Sequence, residues 1–446
     1  MASVSIFLNR LVWGPTLVGL MLGVGLFLTV RTGFVQITLF SESLRRFAAV
    51  FRDDRDGGFR ALCTALAATV GTGNLIGVAG AIALGGPGSI FWMWVCGFVG
   101  MATKYAEAAL AVRYRAEQHG EYLGGPMYMI REALPKKYHV LGGIYAFLGI
   151  FAAFGVGNAT QINAVVTGVD HILESFGLAN HDLLLGLVLA VLIGSVLLGG
   201  AKRIGETAEV LVPFASLAYI LLAGGVLLLR WRMVPGAFGA ILQGAFDPKA
   251  VTGGLVGSFF ACLRTGVSRG VFTNEAGMGT ASIAHACARV EHPAQQGMMG
   301  IMEVFLDTIV ICTMTALVIL CSGVTIPYGT DAGGNLTADA FALVYGPWVR
   351  ILLAAAICCF AFATVLGWGL YGARCAQYLF GAGAYPVFAW CQIAAVLLGA
   401  VLDTGIIWSL AETINGLMAV PNLITLVLLS GSLRSLTKEY KYNMRR

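Results

Sequence analysis

A glycine-rich stretch inside a long apolar run carries residue types that could bind ions. Residues 71–74 read Gly-Thr-Gly-Asn within the segment ALAATVGTGNLIGVAG, residues 65–80. Glycine destabilises a helix interior by about 1 kcal/mol relative to alanine, so this stretch favours an interruption. The half-helix after a break offers free N–H groups to an anion, and the half-helix before it offers free carbonyls to a cation. The alternative is an unbroken helix that packs closely through its small residues.

A second segment combines the length of a membrane span with charged residues. Residues 259–283 contain Arg264, Arg269 and Glu275, and a charge at the bilayer centre costs from about 3 to more than 10 kcal/mol. The residues between the two arginines are again small, polar and glycine-bearing. We therefore predict a second interrupted helix, broken at about 264–270.

The elements that must position these segments are membrane helices. The 446 residues are 58% hydrophobic and 11% charged, whereas a soluble protein has about 25% charged residues. The ten cysteines are scattered without a CxxC pair and the histidines lack metal-ligand spacing, so no cofactor is predicted. The net charge is +5, but the basic residues lie in short loops between spans, so the charge does not indicate nucleic-acid binding. The composition predicts an all-α polytopic membrane protein surrounded by lipid.

Eleven apolar runs approach the ~20 residues that span a bilayer. They lie at about 11–31, 60–84, 89–112, 140–169, 183–200, 207–229, 252–283, 298–322, 347–373, 385–402 and 406–430. The second to sixth and the seventh to eleventh form two sets of five, each beginning with a predicted broken helix. Because five is odd, the two sets enter the membrane from opposite faces. Inverted repeats led by broken helices are typical of secondary transporters with a site at the midplane.

This pattern divides the chain into five parts. They are an N-terminal helix with a cytoplasmic linker (1–58), a first repeat (59–232), an outer connecting segment (233–250), a second repeat (251–430) and a cytoplasmic tail (431–446).

The distribution of Lys and Arg predicts the orientation. One set of segments carries most of them, including Arg45, Arg46, Arg52, Arg55, Arg113, Arg115, Lys136, Lys137, Lys202, Arg203, Arg445 and Arg446. The opposite set carries Arg10, Arg230, Arg232, Lys249 and Arg350. We therefore expect the N-terminus outside and the C-terminus in the cytoplasm.

Long ordered motifs resemble the alanine/glycine:cation symporter family over nearly the whole chain. They include GTGNLIGVAGAIALGGPGSIFWMW (71–94), KRIGETAEVLVPF (202–214), SRGVFTNEAGMGTASIAHA (268–286) and LGWGLYG (366–372). The resemblance implies a LeuT-type fold of two inverted five-helix repeats plus one N-terminal helix, in a bacterial or archaeal inner membrane. It also implies symport of alanine or glycine with Na⁺, or with H⁺ in some members.

A small zwitterion needs donors for its carboxylate and acceptors for its ammonium group. The N–H groups at Gly71, Thr72, Gly73 and Asn74 can supply the donors, and the carbonyls of Arg264, Thr265 and Gly266 are the expected acceptors. The resemblance implies a substrate contact for Gln161, for which an interhelical hydrogen bond is the alternative. Phe272 and Trp368 are expected to wall the substrate methyl group, with ordinary helix packing as the alternative.

Na⁺ is the expected coupling ion, and a hard cation of this kind takes oxygen ligands. The expected ligands are the carbonyls of Ala67, Val70 and Ala361 and the hydroxyl of Thr364, while Thr69 and Asn74 are candidates for a second ion. The resemblance implies a second threonine at the position of Ala363, where this chain has alanine.

A channel and an intramembrane enzyme are the alternatives to a symporter. A channel would repeat similar pore loops around a symmetric oligomer, whereas two unlike breaks occur in one chain. An intramembrane enzyme would need a catalytic constellation, for which the pair Glu303 and Asp307 is the nearest candidate. No GxxxxGK[ST] motif is present, so ATP hydrolysis by this chain is not expected. The preferred amino acid and the oligomeric state are left open by the sequence.

Overall fold

The computed structural model describes residues 12–50, 57–118, 120–175, 181–256, 258–330, 335–402 and 405–444. The predicted linker residues 51–56 and the charged residues Arg10, Arg445 and Arg446 lie outside this part of the chain. The described residues form helices and one short β-hairpin.

The first half of the chain begins with a helix, followed by two short ones, the first broken helix and a long helix. These are α1 (Pro15–Arg31), α2 (Val35–Thr38), α3 (Phe40–Val50), α4 (Gly58–Thr69), α5 (Gly73–Gly85) and α6 (Ser89–Arg113). A hairpin and four further helices follow. These are β1 (Ala116–Gln118), β2 (Glu121–Leu123), α7 (Pro126–Ala133), α8 (His139–Phe154 and Thr160–Ser175, joined by a π turn at Gly155–Ala159), α9 (Asp182–Leu197) and α10 (Gly200–Leu229).

The second half begins with two short helices and the second broken helix. These are α11 (Val234–Phe246), α12 (Pro248–Thr252), α13 (Phe259–Asn274) and α14 (Thr280–His285). The remaining helices are α15 (Pro293–Ser322, with a π turn at Phe305–Cys312), α16 (Asn335–Tyr345), α17 (Val349–Phe380), α18 (Ala384–Val401), α19 (Gly405–Leu428) and α20 (Ser430–Asn443).

Each of the predicted spans coincides with a helix or a pair of helices. Within the described residues, seven helices are long and apolar enough to cross a membrane, or eight if the bent pair α4–α5 is one span. The shorter apolar helices α1 and α9 have 17 and 16 residues. The chain is a mostly helical membrane protein with several spans.

The prediction of an all-α chain is wrong at one place, where β1 and β2 form a short hairpin. β1 and β2 pair antiparallel, with Glu117 opposite Tyr122. Gly120 occupies the turn with φ +77°, a conformation that glycine adopts without the steric penalty of a Cβ atom. Arg115 places its guanidinium 3.6 Å from the ring centroid of Tyr122, so a cation–π contact fixes the hairpin.

The prediction of a helix interruption at about 264–270 is also wrong. α13 is continuous from Phe259 to Asn274, and the chain breaks at 275–279 instead. Gly266 lies against α6, where a Cβ atom would overlap the carbonyl oxygen of Ser89. This glycine permits close helix packing, as small residues do in membrane bundles, and does not interrupt the helix.

Helix α6 is the element against which the second broken helix is assembled. It packs against α13, α14 and α15, and its C-terminal half is buried. Lys104 and Glu303 form a fully buried ion pair between α6 and α15, with Nζ 2.8 Å from Oε1. Glu303 also contacts His285 of α14, with His285 Nε2 3.0 Å from Oε2. These polar contacts tie α14 and α15 to α6 through side chains that are fully buried, so the charges satisfy one another within the protein.

Candidate functional site

The first break lies where the glycine-rich stretch predicted it. α4 ends at Thr69, the chain resumes as a helix at Gly73, and the two axes differ by 53°. The N–H group of Gly71 donates to Asn74 Oδ1 at 2.9 Å, and the N–H group of Asn74 donates to the carbonyl of Gly71 at 3.3 Å. The side chain of Asn74 therefore closes the break locally.

This arrangement removes the helical hydrogen-bond donors of two backbone carbonyls at the end of α4. In an unbroken helix the N–H groups of residues 71 and 74 would bond to the carbonyls of Ala67 and Val70. Both N–H groups are directed to partners within the break instead. The carbonyls of Ala67 and Val70, two of the expected cation ligands, are thereby released from helical pairing.

A small cavity lined mostly by buried residues lies beside this break. Its volume is about 20 Å³, which is room for about one water molecule, so a bound amino acid requires the walls to separate. Among the described residues its lining comprises Ala68, Thr69, Gly71, Thr72, Gly73, Val156, Gln161, Phe272, Glu275, Thr364 and Trp368. The structure thus brings most of the predicted substrate residues around one cavity.

Gln161 faces the break across the bundle. Thr72 Oγ1 donates to Gln161 Oε1 at 3.0 Å, and Gln161 Nε2 donates to the carbonyl of Val156 at 3.2 Å. The π turn of α8 comes directly before this part of the helix, and π turns of this kind often occur at functional sites. Gln161 is held in a fixed orientation by these two bonds.

Thr364 also faces the break, from α17. A Cβ atom at Gly71 would stand 2.7 Å from its hydroxyl oxygen, and this hydroxyl donates to the carbonyl of Phe360 at 3.0 Å. Gly367 brings α17 so close to α4 that its own Cβ would stand 3.0 Å from the backbone nitrogen of Ala68. Ala361 is buried on the same helix, three residues before Thr364. The hydroxyl of Thr364 therefore meets the end of α4.

Glu275 is a cavity residue whose place in the wall the sequence did not reveal. Its backbone is left-handed with φ 53°, which is strained for a residue other than glycine. Trp368 Nε1 donates to its Oε1 at 3.1 Å, and Thr280 Oγ1 donates to its Oε2 at 2.6 Å. A carboxylate held by two neutral donors therefore forms part of the wall. A sequence signal existed, namely an acidic residue among glycines inside a membrane segment.

The second break, at 275–279, is held by a carboxylate from α6. Glu107 Oε1 accepts the N–H groups of Gly277 and Gly279, each at 3.0 Å. The same oxygen accepts Asn422 Nδ2 from α19 at 2.7 Å. Backbone donors inside a membrane must find such partners in the protein, and Glu107 is the partner of two donors in the loop between α13 and α14.

Asp307 lies behind the first break and was not predicted to contact it. Its Oδ1 accepts Asn74 Nδ2 at 2.7 Å and its Oδ2 accepts the hydroxyl of Thr308 at 2.8 Å. Asn74 is thus bonded through both ends of its amide. It links the first broken helix to α15.

Three predicted substrate residues do not line this cavity, namely Thr265, Gly266 and Asn74, which is bonded within the first break. Thr265 and Gly266 are inside the continuous helix α13, and neither lines the small cavity. Thr265 instead lines a separate cavity of about 140 Å³. Phe272, seven residues later, contributes to both cavities.

Comparisons with known proteins cover the whole chain. The profile of the sodium:alanine symporter family matches residues 1–446. The sodium/alanine symporter AgcS of Methanococcus maripaludis is 44% identical over 97% of this chain and 95% of its own. The probable sodium/glutamine symporter GlnT of Bacillus subtilis is 36% identical over 97% of this chain and 89% of its own.

A solved structure shares the architecture of this protein. The crystal structure of MhsT in complex with L-phenylalanine covers 85% of this chain and 96% of its own, with a TM-score of 0.58. At 15% identity this likeness shows the fold alone, and it agrees with the expected LeuT-type architecture. On the full-length family match and the identities above, the chain belongs to the sodium:alanine symporter family, a family of transporters and not of enzymes.

Proposed function

We propose that this protein carries alanine or glycine into a prokaryotic cell together with Na⁺, by alternating access across the plasma membrane. The observation that carries the proposal is one buried cavity between two broken helices, bounded by the break at Gly71–Gly73, by Gln161 and by Thr364. Its lining by backbone, amide, hydroxyl and carboxylate groups suits a small zwitterion once the walls separate.

The substrate carboxylate is assigned to the first break. The N–H groups of Thr72 and Gly73 lie at the start of α5, where unpaired donors and the helix dipole favour an anion. The amide of Gln161 borders the same position, since it accepts the hydroxyl of Thr72. Asn74 keeps the break open rather than binding the substrate directly, because both ends of its amide are already bonded.

The substrate ammonium group is assigned to Glu275. The helix α13 is continuous at Thr265 and Gly266, so their carbonyls take part in helical pairing, and we propose no role for them at this cavity. Glu275 instead offers a carboxylate in the cavity wall. A buried carboxylate whose partners are neutral is stabilised by an incoming cation. Trp368 and Phe272 then enclose the methyl group of alanine.

The coupling Na⁺ is assigned to the end of α4 and the facing part of α17. The break redirects the N–H groups that would pair with the carbonyls of Ala67 and Val70. The hydroxyl of Thr364 lies against Gly71, the residue after Val70. Ala361, three residues before Thr364, would add a carbonyl. An ion here would hold the first broken helix against α17. Thr69, also in the cavity wall, remains the candidate for a second ion.

The proposed architecture has eleven membrane helices. It consists of α1 followed by two inverted repeats of five spans, residues 59–232 and 251–430, joined by α11 and α12. The two breaks, at 70–72 and 275–279, each fall in the first span of a repeat, and the likeness to MhsT supports this arrangement.

Uptake into proteoliposomes tests the function. Labelled alanine is expected to accumulate when Na⁺ is present outside only, at equal pH on both sides, and to stop accumulating when an ionophore collapses the gradient. A K⁺ gradient is the matched control, and counterflow against unlabelled alanine separates a carrier from a channel. Accumulation driven by a pH gradient without Na⁺ would replace Na⁺ coupling by proton coupling.

Single added cysteines test the orientation. Ala48 in α3 and Thr330 are both exposed, and the positive-inside rule puts the first in the cytoplasm and the second outside. In intact cells an impermeant maleimide is expected to label Thr330→Cys and not Ala48→Cys, relative to the parent chain with its native cysteines. After permeabilisation both should be labelled. Labelling of Ala48→Cys alone in intact cells would reverse the proposed orientation.

A further inference from the structure

A groove on the surface of the helix bundle lies between α9, α10 and α17. These three helices pack against one another, and the groove between them has a volume of about 660 Å³. Its walls are mostly apolar, with Leu189 and Leu192 on α9, Val210 and Phe214 on α10 and Phe362 on α17. Among the described residues it shares no lining residue with the substrate cavity. The groove is thus separate from the site of the proposed function.

The mouth of the groove faces the lipid. Val210 and Phe214 are 73% and 70% exposed, and their spacing of four residues puts them on one face of α10. Both lie in the predicted span 207–229, where an exposed apolar side chain contacts hydrocarbon rather than water. The groove must therefore be occupied by lipid or by another membrane helix.

The dimensions of the groove favour lipid chains over a helix. Its lining on α10 extends from Arg203 to Phe214, which is about 16 Å along the helix axis and about half of the ~30 Å hydrocarbon core. Spread over that length, the volume corresponds to a mean cross-section of about 40 Å². A helix about 10 Å wide has a cross-section of about 80 Å². The groove therefore suits the acyl chains of one leaflet and is too narrow for a helix of a second copy.

One end of the groove carries charged side chains, namely Arg203 and Glu206. Glu206 Oε1 lies 4.0 Å from Lys202 Nζ, so the charge of this carboxylate is offset by its neighbour. Arg203 is exposed, and within the described part of the chain its guanidinium shows no ion pair or hydrogen bond. The stem of this arginine lies over the turn between α9 and α10, where a Cβ atom at Gly199 would overlap its Cδ. A guanidinium is thus available to an anion at this end of the groove.

We infer that the groove is a binding site for one anionic phospholipid, with its phosphate on Arg203 and its acyl chains along Leu192 and Phe214. Guanidinium groups bind phosphate with paired, charge-assisted hydrogen bonds. In the proposed orientation Arg203 lies at the cytoplasmic leaflet, where anionic lipids attract basic residues. The inference needs only a membrane location for the chain and goes beyond the proposed transport function.

The bound lipid would contact α17 from behind the proposed ion site. Phe362 lines the groove and Thr364 lines the substrate cavity. Two residues correspond to about 200° around a helix, so the two side chains lie on opposite faces of α17. A variant of the groove therefore removes no substrate contact, and Na⁺-dependent alanine binding can report that such a variant is folded.

Photoreactive phospholipids test the inference on the full-length protein in phosphatidylcholine vesicles. Trace phosphatidylglycerol or trace phosphatidylcholine, each with a diazirine in one acyl chain, is cross-linked, and the labelled peptides are identified by mass spectrometry. The phosphatidylglycerol probe is expected to label the groove segments of α9, α10 and α17 about fivefold more than the phosphatidylcholine probe. Both probes should label the exposed face of α18 around Trp390, which is 61% exposed, to the same extent.

Substitutions separate the headgroup from the acyl chains. Arg203→Gln should reduce labelling of the groove by phosphatidylglycerol to the phosphatidylcholine level, and Arg203→Lys should restore part of the preference. Arg230→Gln, an exposed arginine at the other end of α10, is the matched control and should match the wild type. Leu192→Trp fills the groove and should lower its labelling by both probes, while labelling of α18 stays unchanged.

Three results would overturn the inference. The first is equal labelling of the groove by the two probes in the wild type, or a preference that survives in Arg203→Gln. The second is an unlabelled groove with cross-links between two copies of the chain, which would make this face an interface. The third is loss of the preference when sodium phosphate replaces sodium chloride at equal ionic strength, which would assign Arg203 to free phosphate. Failure of alanine uptake would refute the proposed function and leave the lipid site standing.

Discussion

Replacing Glu275 by glutamine is expected to weaken alanine binding by about 30-fold or more at saturating Na⁺. The proposed partner of this carboxylate is the substrate ammonium group, and loss of one partner of a buried charge pair costs about 2–5 kcal/mol. Each 1.4 kcal/mol is about a tenfold change in affinity. Glutamine has nearly the shape of glutamate and can still accept a hydrogen bond from Trp368 Nε1. The cavity wall should therefore keep its structure in this variant.

A comparison of alanine with lactate distinguishes a substrate-binding role of Glu275 from a structural one. It carries a hydroxyl where alanine carries an ammonium group, so the wild type should prefer alanine strongly. In Glu275→Gln this preference should shrink, because the charge that recognises the ammonium group is gone. A purely structural carboxylate would weaken both ligands equally and leave the preference unchanged.

Two further variants complete the comparison. Glu275→Asp keeps the charge and should retain part of the preference for alanine. Glu206→Gln alters a carboxylate whose side chain is 47% exposed and 4.0 Å from Lys202, and should bind alanine as the wild type does. Wild-type affinity and preference in Glu275→Gln would remove Glu275 from the substrate site.

The first break could be predicted because its causes are local. Gly71, Thr72 and Gly73 lower the helical preference, and Asn74 lies three residues from the N–H group of Gly71 that its side chain accepts. All of these are adjacent in the sequence. Gln161 on α8 followed from the resemblance, and Thr364 on α17 followed from the oxygen ligands that Na⁺ needs. The structure places both side chains against this break.

The second break could not be predicted because its cause is tertiary. Its backbone donors at Gly277 and Gly279 are satisfied by Glu107, and Asn422 donates to Glu107 and to the carbonyl of Gly277. Both side chains come from helices far away in the sequence. Gly266 gave a misleading signal, since a glycine that permits close packing against Ser89 has the same sequence signature as one that ends a helix. The error placed the predicted ammonium acceptor about two and a half to three helical turns before Glu275.

Replacing Thr364 by valine is expected to shift the Na⁺ dependence of alanine binding about tenfold to higher concentration. Valine keeps the shape but removes a hydroxyl oxygen, and bonds to a charged group are worth on the order of 1.5–3 kcal/mol. The hydroxyl now donates along its own helix to Phe360. Thr425→Val removes a similar bond, to Pro421 at 2.7 Å, and is the matched control expected to leave the Na⁺ dependence unchanged.

The thermodynamic linkage between Na⁺ binding and alanine binding distinguishes a residue that binds the ion from one that binds the substrate. If Na⁺ raises the affinity for alanine by some factor, alanine raises the affinity for Na⁺ by the same factor. In Thr364→Val the alanine affinity should therefore recover at saturating Na⁺, because no substrate contact has been removed. In Gln161→Ala it should stay low at every Na⁺ concentration. Titration of alanine binding across Na⁺ concentrations measures both, and a Thr364→Val defect that persists at saturating Na⁺ would place Thr364 on the substrate rather than on the ion.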